Sequence, residues 1–386
     1  MEDELSQQRD STTLYNSSNF SWSNGVQVEQ TYRSAMEKDA SVHFMRTGIT
    51  IFWALCAVVG VPGNLFVLGC ILRFSQLRSA VSNVFIFNLA LADLCFLLLT
   101  PLLVAHSLIG HWVFGVAACK LFLTSNGVNQ FASASFLALL SLDRYLSICF
   151  PIWSRGHRTI KWALAISLLC WTVVTLEMVP LLLFADLVQL YPRQRPEEHQ
   201  CMVYWKSETK PQAETTNYNV SLNHSEDDRH WQELNQVIDD MAATRKIFTF
   251  YSFILSYLVP LLCIWFFYSN IIWSLFLKKR RASNVGTGAD SSISRRGSQY
   301  RLNKVTLMVL AIVSAYTIFW LPFWFVQMSI EFEAAWTNRI DVLVKVSYVA
   351  YGLQYLNSAL NPFLYAFLTD AFMSLVKQSF CGNGNR

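Results

Sequence analysis

Charged residues are scarce in this chain, at 15% of its 386 residues, whereas hydrophobic residues make up 53%. A soluble helical protein of this length would need a polar face on most of its helices. Here the apolar residues form long blocks instead, and residues 51–72 contain no charge over 22 positions. Because a bilayer-spanning helix needs about 20 apolar residues, the composition excludes an ordinary soluble domain and predicts a membrane protein.

Several chemical signatures are also missing from the sequence. There is no P-loop, no nucleophilic Ser–His pairing and no His/Cys cluster, so we expect no enzyme, no required cofactor and no nucleic-acid partner. No lysine lies between Lys345 and Lys377, which argues against a retinal-linked pump. The first 47 residues lack a hydrophobic run, so we expect no cleaved signal peptide. A secondary transporter, which would need an inverted repeat or paired discontinuous helices, is the remote alternative.

Seven apolar blocks follow one another along the chain. They predict an all-α membrane protein in which a seven-helix transmembrane bundle occupies residues 48–368, followed by a short amphipathic helix along the membrane. The third and seventh blocks are the least apolar, because each carries several Asn, Ser and Gln residues. The predicted spans are 48–72, 83–108, 116–142, 162–185, 247–277, 305–330 and 346–368.

The charges of the connections predict the orientation of the bundle. The connections 73–82, 143–161 and 278–304 contain 14 basic and two acidic residues, so we expect them in the cytoplasm. The connections 186–246 and 331–345 contain nine basic and 14 acidic residues and should face outward. The longer of these two carries 11 acidic residues, which predicts either a solvated, glycosylated loop or electrostatic steering of a basic peptide.

N-glycosylation sequons support this orientation. All of them fall in the predicted extracellular tail, 1–47, or in the long outer connection, and none falls in a predicted cytoplasmic segment such as the tail 369–386. The candidate sites are Asn16, Asn19, Asn219 and Asn223. We therefore expect a multi-pass plasma-membrane protein with its N-terminus outside.

Only two of the nine cysteines lie at the predicted outer surface. They are Cys119, at the start of the third span, and Cys201, in the long outer connection. The outer surface is the oxidising side, so these two residues are the candidate disulfide, and two free thiols are the alternative. The other cysteines lie in spans, at their ends or in the tail: Cys56, Cys70, Cys95, Cys149, Cys170, Cys263 and Cys381.

A carboxylate lies in the middle of the second span. An acid at this depth indicates a functional site, although a lone protonated Asp93 is the simpler alternative. The third and seventh spans offer amides and hydroxyls that can surround it, namely Asn129, Ser133, Asn357, Ser358 and Asn361. A single carboxylate among neutral oxygens suits a small hard cation, and Na⁺ fits it better than a divalent ion.

A polar stripe runs along the third span from Asn126 through Asn129 or Gln130 and Ser133 to Arg144, which follows Asp143 and lies about 27 Å from Asn126. The Asp–Arg pair at its inner end can form an ion pair and reach cytoplasmic water, and a snorkelling interfacial pair is the alternative. Prolines interrupt six spans, which suits helices that change packing. These are Pro62, Pro101, Pro180, Pro260, Pro322 and Pro362.

An ordered set of short motifs runs through the spans. It comprises Gly63-Asn64, Leu89-Ala90-Leu91-Ala92-Asp93, Trp112, Cys119, Asp143-Arg144-Tyr145, Trp171, Pro260, Tyr268, Phe319-Trp320-Leu321-Pro322 and Asn361-Pro362-Phe363-Leu364-Tyr365. With this set, the chain resembles the rhodopsin-like (class A) G-protein-coupled receptors over residues 48–380. The resemblance implies an allosteric sodium site at Asp93 and an inner lock at Arg144, towards which Tyr268 and Tyr365 move on activation.

Two further segments narrow the resemblance. They are similar to the corresponding segments of the somatostatin, opioid and insect allatostatin C receptors. The first comprises Cys119-Lys120, Thr124 and residues 127–131, and the second is 364–370. Those receptors bind peptides and usually couple to the inhibitory class of G proteins. The resemblance therefore implies an extracellular neuropeptide ligand and a heterotrimeric G protein. Arrestin, receptor kinases and membrane lipid are further candidate partners.

The sequence departs from that pattern at three positions. Asn126 stands where the somatostatin and opioid receptors carry an aspartate that pairs with a ligand cation, so amine-anchored ligands are disfavoured. Phe319 replaces a cysteine before the tryptophan, and Tyr316 replaces a phenylalanine one turn away. These last two leave open a constitutively active receptor, or an orphan receptor for a non-peptide ligand.

The ligand cavity is expected to be an aromatic bowl with a few orienting polar groups. Its predicted lining is Asn126, Gln130, Trp320, Phe323, Gln327, Tyr351 and Tyr355. On the cytoplasmic side, Ser298 follows Arg295-Arg296-Gly297 and is a candidate phosphorylation site. Cys381 is either a palmitoylation site or a free thiol.

Overall fold

Seven long helices form most of the part of the chain that the structure describes. The computed structural model describes residues 40–189, 198–203, 243–284, 292–334, 337 and 339–368. The helices are α1 (Ala40–Arg73), α2 (Val81–Ile109), α3 (Gly115–Cys149), α4 (Ile160–Phe184), α5 (Ala243–Leu277, continued to Asn284), α6 (Ser292–Glu331) and α7 (Ile340–Leu368). Two short helices, Ser75–Arg78 and Pro151–His157, lie in the α1–α2 and α3–α4 connections.

The described helices have the composition of a membrane bundle. Six of them, α1 to α6, are long and apolar enough to cross a bilayer. The seventh, α7, is more polar because its buried side carries amides and hydroxyls, which are Gln354, Asn357, Ser358 and Asn361. Large apolar side chains point away from the bundle, as with Leu168 at 71% and Trp265 at 63% exposed. The predicted all-α membrane fold is confirmed.

The helices extend beyond the predicted spans. The first begins at Ala40 rather than 48, inside the predicted tail 1–47, and α3 continues to Cys149, so that Asp143 and Arg144 lie within it. The predicted connection 278–304 is largely helical as well, since α5 continues to Asn284 and α6 begins at Ser292. Hydropathy falls at the membrane boundary, but backbone hydrogen bonding continues into the aqueous phase, which explains the difference.

Several predictions fall on residues outside the described part of the chain. These are the four glycosylation sites Asn16, Asn19, Asn219 and Asn223, and the tail 369–386 with its amphipathic helix and Cys381. Ser298 lies within α6, but its side chain is not described.

Prolines set the irregularities of three helices. The second helix breaks at Leu99, just before Pro101, and α4 breaks at Met178, just before Pro180. In α5, a π-helical segment, Ile254–Leu258, lies immediately before Pro260. Proline has no N–H to donate and its ring crowds the carbonyl four residues earlier, so the helix opens on its N-terminal side.

Glycine allows the close approach of α1 to α7. A Cβ built on Gly63 would lie 3.1 Å from Cγ of Pro362, and one on Gly60 would lie 3.0 Å from Cα of Ala359. Both distances are too short for a side chain without a shift of the neighbour. The glycines therefore let the part of α7 around Ala359 and Pro362 pack directly on α1, where Asn64 can reach the α7 backbone.

A β-hairpin lies over one end of the bundle, and the sequence analysis did not predict it. Strands β1 (Ala185–Gln189) and β2 (His199–Val203) pair antiparallel, with Leu187 opposite Cys201. Cys201 forms a disulfide with Cys119 at the start of α3, so the predicted bond is confirmed. The end of the bundle that carries this bond is called the disulfide end, and the other is called the Arg144 end.

We expect removal of the disulfide to destabilise the fold. The bond closes a loop between residues 82 positions apart, and loss of such a bond typically costs about 2–4 kcal/mol. The double variant C119S/C201S should therefore unfold at a lower temperature than the native protein, measured on purified protein in detergent. The control is C263S, which alters an exposed free cysteine and should leave the midpoint unchanged. Equal midpoints for native protein and double variant would contradict the expectation.

Candidate functional site

A carboxylate lies at the centre of the bundle. Asp93 of α2 is fully buried, and each of its oxygens accepts a hydrogen bond from an amide. Asn129 Nδ2 of α3 donates to Oδ1 at 3.0 Å, and Asn361 Nδ2 of α7 donates to Oδ2 at 2.7 Å. Three helices are thus joined through one side chain.

Further polar groups surround this carboxylate. The hydroxyl of Ser358 donates to Asn129 Oδ1 at 3.5 Å. Asn64 of α1 donates to the carbonyls of Ser358, at 3.2 Å, and Gly60, at 2.9 Å, which brings a fourth helix into the network. Its place in the Gly63-Asn64 motif was the available signal, although the sequence analysis gave it no role in the site.

Three oxygens in or beside this network have no hydrogen-bond partner among the described residues. They are Asn64 Oδ1, Ser133 Oγ and Asn357 Oδ1, and all three side chains are buried. Native proteins satisfy more than about 90% of their buried polar groups. One carboxylate with unsatisfied neutral oxygens is the donor set of a small hard cation, so these residues fit Na⁺. We call Asp93, Asn129, Ser133, Asn357, Ser358 and Asn361 the Asp93 cluster.

A second buried carboxylate lies at the Arg144 end. Asp143 accepts bidentate hydrogen bonds from Arg158, the one from Nη2 at 2.9 Å, and another from the Ser82 hydroxyl at 2.7 Å. Its contact with Arg144 is longer, at 3.3 Å. The predicted Asp143–Arg144 pair is therefore present, but the stronger partner is Arg158. Nothing in the sequence spacing indicated Arg158 or Ser82.

Aromatic residues pack beside Arg144. Tyr145 stacks on Phe267 of α5, with ring centroids 5.4 Å apart. The Tyr268 hydroxyl is buried without a hydrogen-bond partner among the described residues, and it is close enough to Arg144 to interact electrostatically. The side chain of Tyr365, which the sequence analysis placed in the same switch, is not described. In this conformation the Arg144 side chain is packed inside the bundle, with 13% exposed.

A cavity of about 200 Å³ lies at the disulfide end. Five predicted residues line it, namely Asn126, Gln130, Phe323, Gln327 and Tyr351. Its other lining residues include some that the sequence analysis missed, among them Met178, Leu181, Val203, Phe248, Thr249, Ser252 and Trp324. Several come from α4, α5 and the hairpin, whose orientation no motif indicated.

Two residues predicted to line the cavity lie elsewhere. Trp320 is buried beneath the lining, where its ring meets that of Phe323 at 5.8 Å. Tyr355 packs between Trp53 of α1 and Phe96 of α2, with centroid distances of 5.9 and 4.4 Å. Depth explains the second difference, because Tyr355 lies four residues, or about 6 Å, further along α7 than Tyr351, at a level where α7 packs against Trp53 of α1 and Phe96 of α2.

A hydrogen-bonded network ties the cavity floor to α5 and α6. Gln130 donates to the Ser256 hydroxyl at 2.8 Å, and Ser256 belongs to the π-helical segment. The hydroxyl of Tyr316 donates to the Ser256 carbonyl at 2.9 Å. Tyr257 donates to the Thr317 carbonyl at 3.3 Å. The tyrosine at position 316 thus uses its hydroxyl to join α6 to the irregular turn of α5.

An ion pair lies at the edge of the cavity. Arg245 of α5 contacts Glu331 of α6 at 3.3 Å, and the Thr249 hydroxyl donates to the same carboxylate at 3.2 Å. Thr249 also lines the cavity, so the pair lies one hydrogen bond behind its wall. The Glu331 side chain is only 3% exposed. The pair joins the disulfide-end termini of α5 and α6.

Comparison with known proteins identifies the family. The family model of the 7 transmembrane receptors (rhodopsin family) matches residues 63–224 and 232–365, which is most of the chain. The chain belongs to the rhodopsin family of seven-transmembrane receptors. Members of this family are signalling receptors rather than enzymes.

Named relatives cover nearly the whole receptor. It is 30% identical to somatostatin receptor type 2 of Mus musculus over 338 residues, which cover 86% of this chain and 77% of that protein. It is 31% identical to neuropeptides B/W receptor type 1 of Mus musculus over 333 residues, covering 85% and 84%. Somatostatin receptor type 4 of Rattus norvegicus is 29% identical, covering 86% and 72%.

The Tyr316 hydroxyl should stabilise the conformation in which Arg144 is packed inside. Y316F removes one hydrogen bond to the Ser256 carbonyl, worth about 0.5–1.5 kcal/mol. We therefore expect basal G-protein activation in transfected cells to rise about two- to tenfold at equal surface expression. Y257F, which removes the longer bond to Thr317, is the matched control and should have a smaller effect. A basal signal at or below that of the native receptor would contradict this role.

Proposed function

We propose that this receptor binds an extracellular peptide and activates a heterotrimeric G protein, of the inhibitory class, at the plasma membrane with its N-terminus outside. The observation that carries the proposal is the cavity at the disulfide end, lined by amides and aromatic rings. Its support comes from the similarity over most of the chain to receptors named for somatostatin and neuropeptides B/W. The disulfide end is then the outer end of the bundle.

The floor of the cavity sets the ligand chemistry. Asn126 lines the cavity with a neutral amide, and Gln130 is already bonded to Ser256. A ligand ammonium brought here would lack an anionic partner, and a buried charge left in this way costs about 3–5 kcal/mol. The deep part of the peptide should therefore present neutral hydrogen-bonding groups or aromatic rings. Charged groups of the ligand belong at the rim, near the Arg245–Glu331 pair.

Activation would act through α6 and the Arg144 end. A ligand shifts the equilibrium only if it binds the active packing more tightly than the inactive one. The ring of Phe323 lines the cavity and contacts Trp320, which lies two residues before Pro322. Motion of α6 about this proline would open the Arg144 end, where Asp143, Arg144, Tyr145 and Tyr268 would meet the G protein. Asn361, Pro362 and Tyr365 of α7 would adjust with it.

The Asp93 cluster is proposed to hold an allosteric Na⁺. Asp93 would supply the charge, and Ser133 and Asn357 would supply the oxygens that have no partner in the described structure. Asn129 and Ser358 would orient the carboxylate and close the site. The ion would neutralise the buried carboxylate and so stabilise the packing of α2, α3 and α7 described above.

The first test is a G-protein activation screen on the native receptor and N126D. Neuropeptides, including somatostatin and neuropeptides B and W, are each tested with and without a central lysine. We expect the native receptor to respond to peptides that lack the lysine, because Asn126 offers it no counter-charge. Only N126D should gain a response to the lysine-bearing peptides, and N126L is the control for side-chain size. No response to any peptide, with high basal signalling, would favour a constitutively active receptor instead.

The sodium proposal is tested on the purified receptor without a ligand. Replacing choline chloride with NaCl at constant ionic strength should raise the unfolding temperature of the native receptor, because an ion that binds only the folded state stabilises it. D93N removes the charge while keeping a similar shape, so the sodium-dependent rise should disappear. KCl is the control for cation size. A rise of equal size in D93N would show that sodium acts elsewhere.

A further inference from the structure

A row of buried polar atoms lies between the cavity and the Asp93 cluster. Both the nitrogen and the oxygen of the Gln354 amide, and the Trp320 indole nitrogen, lack a hydrogen-bond partner in the described part of the chain. The two residues are each only 1% exposed. Ser133 Oγ and Asn357 Oδ1 are unsatisfied in the same way. Buried polar groups without a protein partner are typical binding positions for internal water or an ion, and the region that these groups border is called the chamber.

Helical spacing places Gln354 at the middle of this chamber. Tyr351, which lines the cavity, lies three residues before it on α7, and Asn357 and Ser358 lie three and four residues after it. Residues at these spacings share one face of a helix, at a rise of about 1.5 Å per residue. The Gln354 amide therefore lies about one turn below the cavity and one turn above the Asp93 cluster.

Ring contacts place Trp320 on the other side of the chamber. Its indole meets Phe323 at 5.8 Å, and Phe323 meets Tyr351 at 5.5 Å. These contacts put the indole directly beneath the aromatic floor of the cavity. Its unsatisfied N–H is a donor, which complements the unsatisfied acceptor oxygens of α3 and α7.

Distance excludes direct contact between Gln354 and an ion held by Asp93. Asn361, which donates to Asp93, lies seven residues further along α7, or about 10 Å along the helix axis. A direct oxygen ligand of a hard cation lies within about 2.6 Å of it. One or two waters would be needed to bridge this separation, and an amide with two donors and one acceptor can hold them.

We propose that Gln354 is an additional positioning residue of the cation site, resting on the proposed Na⁺ binding by the Asp93 cluster. Its amide binds the hydration water on the cavity side of the ion. It thereby sets how tightly sodium is held, and it connects the ion to the floor of the ligand cavity. The ligand of this chamber is thus a partly hydrated monovalent cation rather than a bare one.

The test is a sodium titration of the unfolding temperature of the full-length purified receptor, with choline chloride to keep ionic strength constant. Q354L removes both polar groups at similar size. It should raise the half-saturating sodium concentration about tenfold or more, as loss of an outer-shell partner of a metal typically does. Q354N, which keeps an uncharged amide on a side chain one methylene shorter, should stay closer to the native value than Q354L does. Q76L makes the same amide-to-leucine change at an exposed position of the α1–α2 connection and should leave the sodium midpoint unchanged.

The outcomes separate this inference from the sodium proposal itself. If D93N abolishes the sodium effect but Q354L titrates like the native receptor, Gln354 has no part in the site and the inference is overturned alone. If D93N also leaves the effect intact, both assignments fail. Q354M, which keeps the length and flexibility of the side chain, replaces Q354L if that variant does not fold. It carries the same expected shift, because it also lacks the amide.

Discussion

The buried carboxylate of Asp93 is the interaction on which the bundle depends most. An ionised carboxylate inside a membrane protein is tolerated only where polar groups meet it. Here Asn129 and Asn361 donate one hydrogen bond to each oxygen, and each comes from a different helix. Moving α3 or α7 away would therefore leave a buried charge exposed to hydrocarbon. Neither amide donates to the nearby oxygens of Ser133 and Asn357, which have no partner in the described structure. The same cluster therefore fixes the packing of three helices and offers oxygen ligands that suit a cation.

The other half of the bundle is joined differently. At the disulfide end α5 and α6 are joined by the Arg245–Glu331 ion pair, but towards the middle of the bundle tyrosine hydroxyls donate to backbone carbonyls, as Tyr316 does to Ser256 in the π-helical segment. That segment exists because Pro260 follows it and opens the backbone hydrogen bonding of α5. Such neutral bonds are each worth only about 0.5–1.5 kcal/mol, far less than the cost of stranding a charge. Helix α6 can therefore change its packing against α5 while α2, α3 and α7 stay together. A receptor that switches between two packings needs one such mobile part and one fixed part.

Hydropathy and motif order predicted the number, type and order of the helices. Each membrane span requires a long apolar run, and such runs can be recognised in the sequence alone. The polar members of the Asp93 cluster could be predicted for a related reason, since a mid-membrane acid demands partners and few residues qualify. The neighbours that a side chain meets at each level of a helix could not be predicted in this way. Tyr351 and Tyr355 carry the same side chain four residues apart, yet one lines the cavity and the other packs on Trp53. The paired strands were missed because each is only five residues long and its backbone groups bond to the other strand, which no short motif in the sequence indicates.

The Asp143–Arg144 pair near the end of α3 shows that the structure identifies interaction partners that the sequence does not. An adjacent acid and base predict an ion pair, but neighbours on a helix do not face each other. Asp143 instead receives a bidentate contact from Arg158 and a hydrogen bond from Ser82, while Arg144 reaches it only at 3.3 Å. The acid is thus satisfied without Arg144. In the proposed activation, movement of Arg144 towards a partner protein would therefore leave Asp143 paired with Arg158 and Ser82, and would break only the 3.3 Å contact between Arg144 and Asp143.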